Sequence, residues 1–264
     1  MNIPIWDAYA LRYAKVKRRR IENFISHDLH DVATQMDYFV WFLKNDQETI
    51  LVDTGFNQAA AQLRNREYLR CPIESLKKTG VQLEDLKDVI ITHAHYDHAG
   101  NTRLLKNAHF HIQEREMSYA TGPEMRHAFC RHAYDPNDVC DLVYANFEDR
   151  VRFHAGAFEL RPGIEVHWVG GHTRGLQIVR VHTKRGWIVL ASDAAHYLEN
   201  FLNRSPFPIV SDVGDMLRGY DLIQSLAESD KHVIAGHDPL TMTLYNQVGK
   251  KNLEIVSLTE PSKG

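Results

Sequence analysis

Apolar and polar positions alternate in ways that divide the chain into short elements. In "YFVWFLKNDQETILVDTG" two apolar runs, Tyr38 to Leu43 and Thr49 to Val52, flank the polar Asn45-Asp46-Gln47, which predicts a β-hairpin. It ends in the turn signal Asp53-Thr54-Gly55. Residues 57–69 lack Gly and Pro and predict a helix, and Pro72 opens a second helical stretch closed by Gly80. "DVIITHAHYDHAG" reads as a buried strand, Val89 to Ile91, running into a polar loop. After the short strand "AHFHIQ", residues 114–150 show no alternation and predict helix plus loop. "VRFHAG", "FELRPGIEVHWVGGH" and "LQIVRVHTKRGWIVLASD" predict successive strands, with turns at Gly156, Pro162-Gly163 and Lys184-Arg185-Gly186. Helical spacing covers 212–229, and "HVIAGHD" predicts a final strand. There is no repeat, low-complexity tract or linker. Each half is strand-rich and then helical, a pattern that two face-to-face sheets with helices outside would satisfy, in a single domain spanning 1–264.

Composition narrows the function classes. The chain has 264 residues, 44% hydrophobic and 25% charged, enough for a sizeable core. A net charge of -3 argues against a nucleic-acid partner. No apolar run approaches the roughly 20 residues that span a bilayer, and the N-terminus lacks the pattern of a secretory signal. Cys71, Cys130 and Cys140 are odd in number and show no CxxC, which points to a reducing compartment and a cytoplasmic location.

Histidine changes the picture, with 16 residues. "THAHYDHAG" places His93, His95, Asp97 and His98 on the loop after a strand, where function concentrates. Alternate side chains of an extended loop share a side, so His93 and His95 can face one cation, while Asp97 and His98 follow after a turn and can face a second. The competing reading is a polar loop of solvated histidines. Three more candidates also follow strands: His172 in "VGGHTRG", Asp193 in "VLASDAAHY" and His237 in "VIAGHDP". Any one alone is a weak signal; the set is a strong one.

HAHYDH, GHTRG, SDAA and GHD, in that order, with "LVDTG" upstream, resemble the metallo-β-lactamase superfamily. The resemblance implies an α/β fold, a four-layer αββα sandwich with two mixed sheets and helices outside, and a site at one edge. It implies that His93, His95 and His172 hold one metal, that Asp97, His98 and His237 hold another, and that Asp193 bridges them with a water or hydroxide. Imidazoles and carboxylates suit two Zn2+, with Mn, Fe or Co as other divalent candidates. Asp53 reads as a carboxylate that orients a ligating imidazole, or as a simple turn residue.

Within the superfamily, the 27 residues after His237 disfavour the glyoxalase II enzymes with their added C-terminal domain, and the size, the SDA and GHD motifs and the single-domain plan look most like the N-acyl homoserine lactone lactonases. Their chemistry implies opening of a lactone ring by metal-bound hydroxide, with Asp97 relaying a proton. Those lactonases carry a tyrosine three residues after the bridging aspartate; here that position is His196, followed by Tyr197, and either is a candidate catalytic donor to the substrate. The expected partner is a small-molecule ester or lactone, without nucleic acid or membrane, with a homodimer as an option. The alternatives are hydrolysis of another ester, thioester or amide, a phosphodiesterase or nuclease of the same fold, and a non-catalytic binding protein; the complete ligand set argues against the last.

Other polar features read as structural. "KVKRRR", Lys15 to Arg20, reads as a solvated strand edge in preference to a nucleic-acid or nuclear-targeting run. His109 and His111 share a strand face and read as satisfied histidines. His127 and His132 lie in the 114–150 segment, a candidate lid with Met117, Phe129 and Tyr134 as apolar lining, or else packing against the sandwich. His27 and His30 sit in a polar loop without an assigned role, and the aromatics of "YFVWF" read as core.

Overall fold

The structure is a computed structural model that describes residues 3–26 and 31–260; His27 and His30 lie outside the described residues. The strands are β1 Asp7–Arg19, β2 Ala33–Lys44, β3 Thr49–Val52, β4 Glu67–Tyr68, β5 Asp88–Ile90, β6 His109–Gln113, β7 Val151–His154, β8 Phe158–Arg161, β9 Ile164–Trp168, β10 Gln177–Thr183, β11 Gly186–Ser192, β12 Val233–Ala235, β13 Asn246–Val248 and β14 Ile255–Ser257. They form a large sheet in the order β13-β14-β1-β2-β3-β5-β6-β7, with β4 also pairing β1, and a smaller sheet in the order β12-β11-β10-β9-β8. Both are mixed: β3, β5, β6 and β7 run parallel to one another, as do β11 and β12, and the remaining pairs are antiparallel.

The alternation in β2 shows why the layers stack. Phe39, Trp41 and Leu43 enter the core between the sheets, where they meet Val166, Val179, Leu190 and Ile234 from the smaller sheet. Tyr38, Val40 and Phe42 point the other way, into a second core shared with Ile73, Leu76 and Leu142 of the outer helices. On the far side of the smaller sheet, Val189 and Ala191 pack under Met216, Tyr220 and Ile223 of the helix Val213–Leu226. Three apolar layers between four layers of secondary structure give the αββα sandwich expected from the sequence.

Three local expectations need correction. The helix expected over 57–69 ends at Leu63: Asn65 turns left-handed, and Glu67–Tyr68 becomes β4 against β1. The amides of Leu69 and Arg70 donate to the carbonyl of Tyr13, so tertiary pairing overrides local propensity. The strand Val233–Ala235 is not the last, because β13 and β14 return the chain to β1. Asn246-Gln247-Val248 is too short and polar to register as a strand by alternation. Finally, "KVKRRR" is only partly an edge. Lys15 pairs with Asp37 on one side and Glu67 on the other, and only beyond it does β1 lose its second neighbour.

Candidate metal centre

Four strand ends converge at one rim of the sandwich. Past β5 the chain runs extended through Thr92 to His95, then enters the helical turn Tyr96–Ala99 that carries Asp97 and His98. His172 follows β9 through Gly170 and Gly171, whose positive φ angles of 66° and 85° make the sharp reversal that glycine tolerates. Asp193 follows β11 and His237 follows β12. Gly236 lets these last two come together, since a Cβ there would stand 2.5 Å from the carbonyl oxygen of Ser192.

The structure brings all seven ligand candidates together. His93, His95, His172 and Asp193 each offer one ligand atom, all within 4.8 Å of one another, and so do Asp97, His98 and His237. Asp193 stands between the groups: Oδ2 lies 3.2 Å from His172 Nε2, and Oδ1 lies 3.2 Å from His98 Nε2 and 3.0 Å from His237 Nε2. A third group, Asp193, His196 and His237, meets the same distance limit. All of these side chains are buried.

The outer nitrogens explain the inward aim. His98 Nδ1 sits 2.7 Å from Asp53 Oδ2, His172 Nδ1 2.7 Å from the Ile209 carbonyl, and His237 Nδ1 2.8 Å from the Asp37 carbonyl. A carbonyl can only accept, so each Nδ1 of the last two carries the proton and each Nε2 turns a lone pair to the centre. His95 points the other nitrogen inward: its Nδ1 lies 3.0 Å from both His93 Nε2 and His172 Nε2. His98 Nε2, His237 Nε2 and Asp193 Oδ1 are buried without a well-formed hydrogen bond. Buried polar atoms are rarely left so, and converging lone pairs beside a carboxylate fit divalent cations.

The electrostatics agree. Burial, then the neighbouring imidazoles His98 and His95 for His93 and His172 for His95, push these two well below the ordinary histidine range, which keeps them neutral as ligands must be. Burial also acts to lower His98, but Asp193, Asp53 and Asp97 outweigh it and raise it well above that range. The three carboxylates thus call for positive charge at this place, which a cation supplies as well as a proton does.

Asp53 is held by more than a turn. Its Oδ1 accepts from the Thr92 amide at 2.8 Å and its Oδ2 from the Thr92 hydroxyl at 2.8 Å, besides its contact with His98. In Asp53→Asn the amide can keep the left-handed backbone, φ 62°, but its NH2 must face a donor. We expect the Asp97, His98 and His237 group to lose about ten- to hundredfold in metal affinity, read by chelator competition. Unchanged affinity would contradict this role.

The side chains seen as peripheral from sequence divide. His111 is satisfied by Asp88 at 2.7 Å and His154 at 3.1 Å. Tyr134 packs edge-on against the His95 ring at 4.5 Å, but like Met117 it belongs to the core under the outer helices, and of the three expected lining residues only Phe129 lines the cavity. His196 lines the cavity above the centre, its Nε2 2.9 Å from Asp193 Oδ2 and its ring stacked on Phe207 at 3.7 Å. Burial pushes it down to about 3 despite Asp193. Tyr197 turns away, its hydroxyl donating to the Gln35 carbonyl at 3.1 Å, and it does not line that cavity. The cavity, about 380 Å³, is walled by Phe129, His132 and Ala133 of the 114–150 segment and, unexpectedly, by Arg18 of the basic run.

A buried carboxylate joins the centre without any signal in the sequence. Glu116, wholly buried, accepts from the Ala94 amide (2.9 Å), the Gly175 amide (3.1 Å), the Thr173 hydroxyl (2.6 Å) and the Tyr134 hydroxyl (3.0 Å). It ties the His93–His95 loop, the His172 loop and the wall segment to one carboxylate. Gly175 is glycine for this reason, because a Cβ would stand 2.2 Å from the Glu116 amide nitrogen. A lone Glu early in a helix gives no local signal of such a role.

Comparison with known proteins follows the same lines. The sequence profile of the Metallo-beta-lactamase superfamily matches residues 33–237. An N-acyl homoserine lactonase from Bacillus cereus is 30% identical over 185 residues, 64% of this chain and 68% of the relative. Among solved structures, a quorum-quenching N-acyl homoserine lactone lactonase superposes with a TM-score of 0.75 at 22% identity, covering 91% of this chain and 95% of that one. AidC, a dizinc quorum-quenching lactonase, gives a TM-score of 0.71 at 16% identity, covering 90% of each. At these identities the two structures show the fold.

Proposed function

This chain belongs to the metallo-beta-lactamase superfamily, and from that membership and the geometry of the centre we propose that it is a metal-dependent hydrolase that opens the ring of a lactone, an N-acyl homoserine lactone or a related cyclic ester. The observation that carries the reading is the convergence of five imidazoles and two carboxylates on one buried point beneath an open cavity. The curated relative of similar sequence is named a lactonase.

His93, His95 and His172 would hold one cation, Asp97, His98 and His237 the other, with Asp193 between them. The donor set suits zinc, with manganese, iron or cobalt as substitutes. When bound, a pair of such ions lowers the pKa of water toward about 7 and polarises a carbonyl.

The rest falls to the protein's own groups. His196 lines the cavity in the place a tyrosine holds in the lactonases that the sequence resembles; as a neutral imidazole it would offer its N–H to the substrate carbonyl or the leaving oxygen once Nε2, 2.9 Å from Asp193, gives up that contact. Tyr197 is occupied with Gln35 and serves packing. Water adds to the carbonyl carbon, the ring C–O bond breaks, one proton from water ends on the departing oxygen and the other is released to solvent; Asp97, which lines the cavity, would carry the first. The products are a carboxylate and a hydroxyl on one molecule.

The test is a panel of lactones, thioesters, β-lactams and phosphodiesters offered to metal-loaded protein, with acid release followed by a pH indicator. Lactones are expected to be the best substrates. Cleavage of the phosphodiester alone would sink the reading.

A further inference from the structure

The cavity wall carries three guanidinium groups that ring opening does not use. They are Arg18 from β1, and Arg64 and Arg66 from the stretch between the helix Gln58–Leu63 and β4. Most other half-buried arginines among the described residues meet a carboxylate, with Arg185 an exception. Arg12 meets Asp37 at 2.7 Å and also Glu254, and Arg161 meets Glu48 at 2.9 Å and Asp88 at 2.6 Å. Arg64 and Arg66 are half-buried too, yet among the described residues neither has a carboxylate oxygen within 4.0 Å; beyond that distance Asp138 acts on Arg64, and Asp97, which belongs to the proposed ligand set and would be shared with a cation there, acts on Arg66. Arg64 lies over the Tyr96 ring at 3.9 Å, and its two terminal nitrogens donate to the carbonyls of His132 and Tyr134, while its Nε is buried without a partner. Arg66 donates from Nε to the Tyr96 hydroxyl at 3.2 Å and from Nη1 to the Arg64 carbonyl at 2.7 Å, and its Nη2 makes no hydrogen bond to the described residues. Among the described residues and outside the proposed ligand set, the only carboxylate lining the cavity is Glu22, which sits 4.0 Å from Arg18. The rest of the lining includes apolar Met36, Phe129, Phe207 and Ile209.

Removing guanidinium charge from water without a counter-charge is unfavourable. Two such groups side by side on a cavity wall are explained when the missing charge arrives with the ligand. A guanidinium fork matches a carboxylate in shape, and the charged hydrogen bonds formed there are the strong kind. We propose that the substrate of this site carries, besides its scissile carbonyl, a carboxylate that Arg66 binds with Arg64, while its apolar part lies along Met36, Phe129, Phe207 and Ile209. The proposal rests on the preceding reading for the reacting group and adds what the rest of the molecule is. It sets this site apart from one built for an uncharged N-acyl homoserine lactone.

The experiment uses the full metal-loaded chain and two five-membered lactams of equal chain length, one ending in a carboxylate and the other in a carboxamide, titrated calorimetrically. The carboxylate should bind about tenfold tighter or more, the range of a hydrogen bond to a charged partner. The advantage should shrink as salt rises. In Arg66→Gln, with its melting temperature recorded alongside, the advantage should fall below about threefold, while Arg66→Lys should keep part of it. Equal binding by the wild type would overturn the proposal. So would an advantage that survives Arg66→Gln, because the carboxylate would then be held elsewhere, at the metals first of all. If the advantage is present but no lactone or ester in the panel is hydrolysed, the anion site stands and the lactonase reading falls.

Discussion

Asp193→Ala is expected to abolish lactone hydrolysis, with a fall of at least about a thousandfold in kcat/KM, or ~4 kcal/mol of transition-state stabilisation. The size follows from its position. Its two oxygens face opposite ways, one toward His172 and His196, the other toward His98 and His237. Burial alone would raise this carboxyl, but the surrounding imidazoles, His196 and His237 foremost, hold it well below the usual carboxylate range, so it is ionised wherever the enzyme works. Removing it takes away the one charge shared by both ligand groups and leaves no anion between a pair of cations that repel each other. Metal content should therefore fall together with activity. His172→Ala should weaken the His93, His95 and His172 group in the same way. Full activity in both variants would refute the assignment.

Glu116→Ala should be the most damaging change away from the ligands themselves. It leaves four buried donors, the amides of Ala94 and Gly175 and the hydroxyls of Thr173 and Tyr134, without their acceptor. Each orphaned group costs about 1–3 kcal/mol, and since neighbours do not add fully the loss should be about 3–5 kcal/mol. That corresponds to a melting temperature lower by roughly 10 °C in a chain of this size. Because three of those donors, Ala94, Thr173 and Gly175, belong to the loops of His93, His95 and His172, the first metal group should also lose about ten- to hundredfold in affinity. Glu116→Gln should fall between, since its NH2 must face a donor. Thermal denaturation with metal titration reads both effects, and a wild-type melting temperature and metal affinity in Glu116→Ala would contradict them.

The contrast between these two residues shows what the sequence makes legible. Asp193 could be found because it sits in a short motif after an apolar strand, in the same context as His172 and His237. Strand ends of a sandwich meet at one rim, so local signals of that kind add up. The αββα layering was legible for a similar reason, since the alternation of Phe39, Trp41 and Leu43 against Tyr38, Val40 and Phe42 states that both faces of β2 are covered. Glu116, Arg64 and Arg66 were not legible. Their roles depend on chain segments that meet only in three dimensions, and a charged residue on a helix or after it looks solvated in one dimension. β4 and β13 were lost on the same ground, since two- and three-residue strands are formed by their neighbours rather than by their own propensity. Arg18 belonged to a basic run, and nothing in that run says that one of its members turns toward a cavity.

The most direct test of the central claim is the number of metal ions bound per chain. Purified protein, loaded with zinc and freed of excess ion, should hold two per chain by elemental analysis. One ion or fewer per chain would contradict the paired centre on which the proposed chemistry depends.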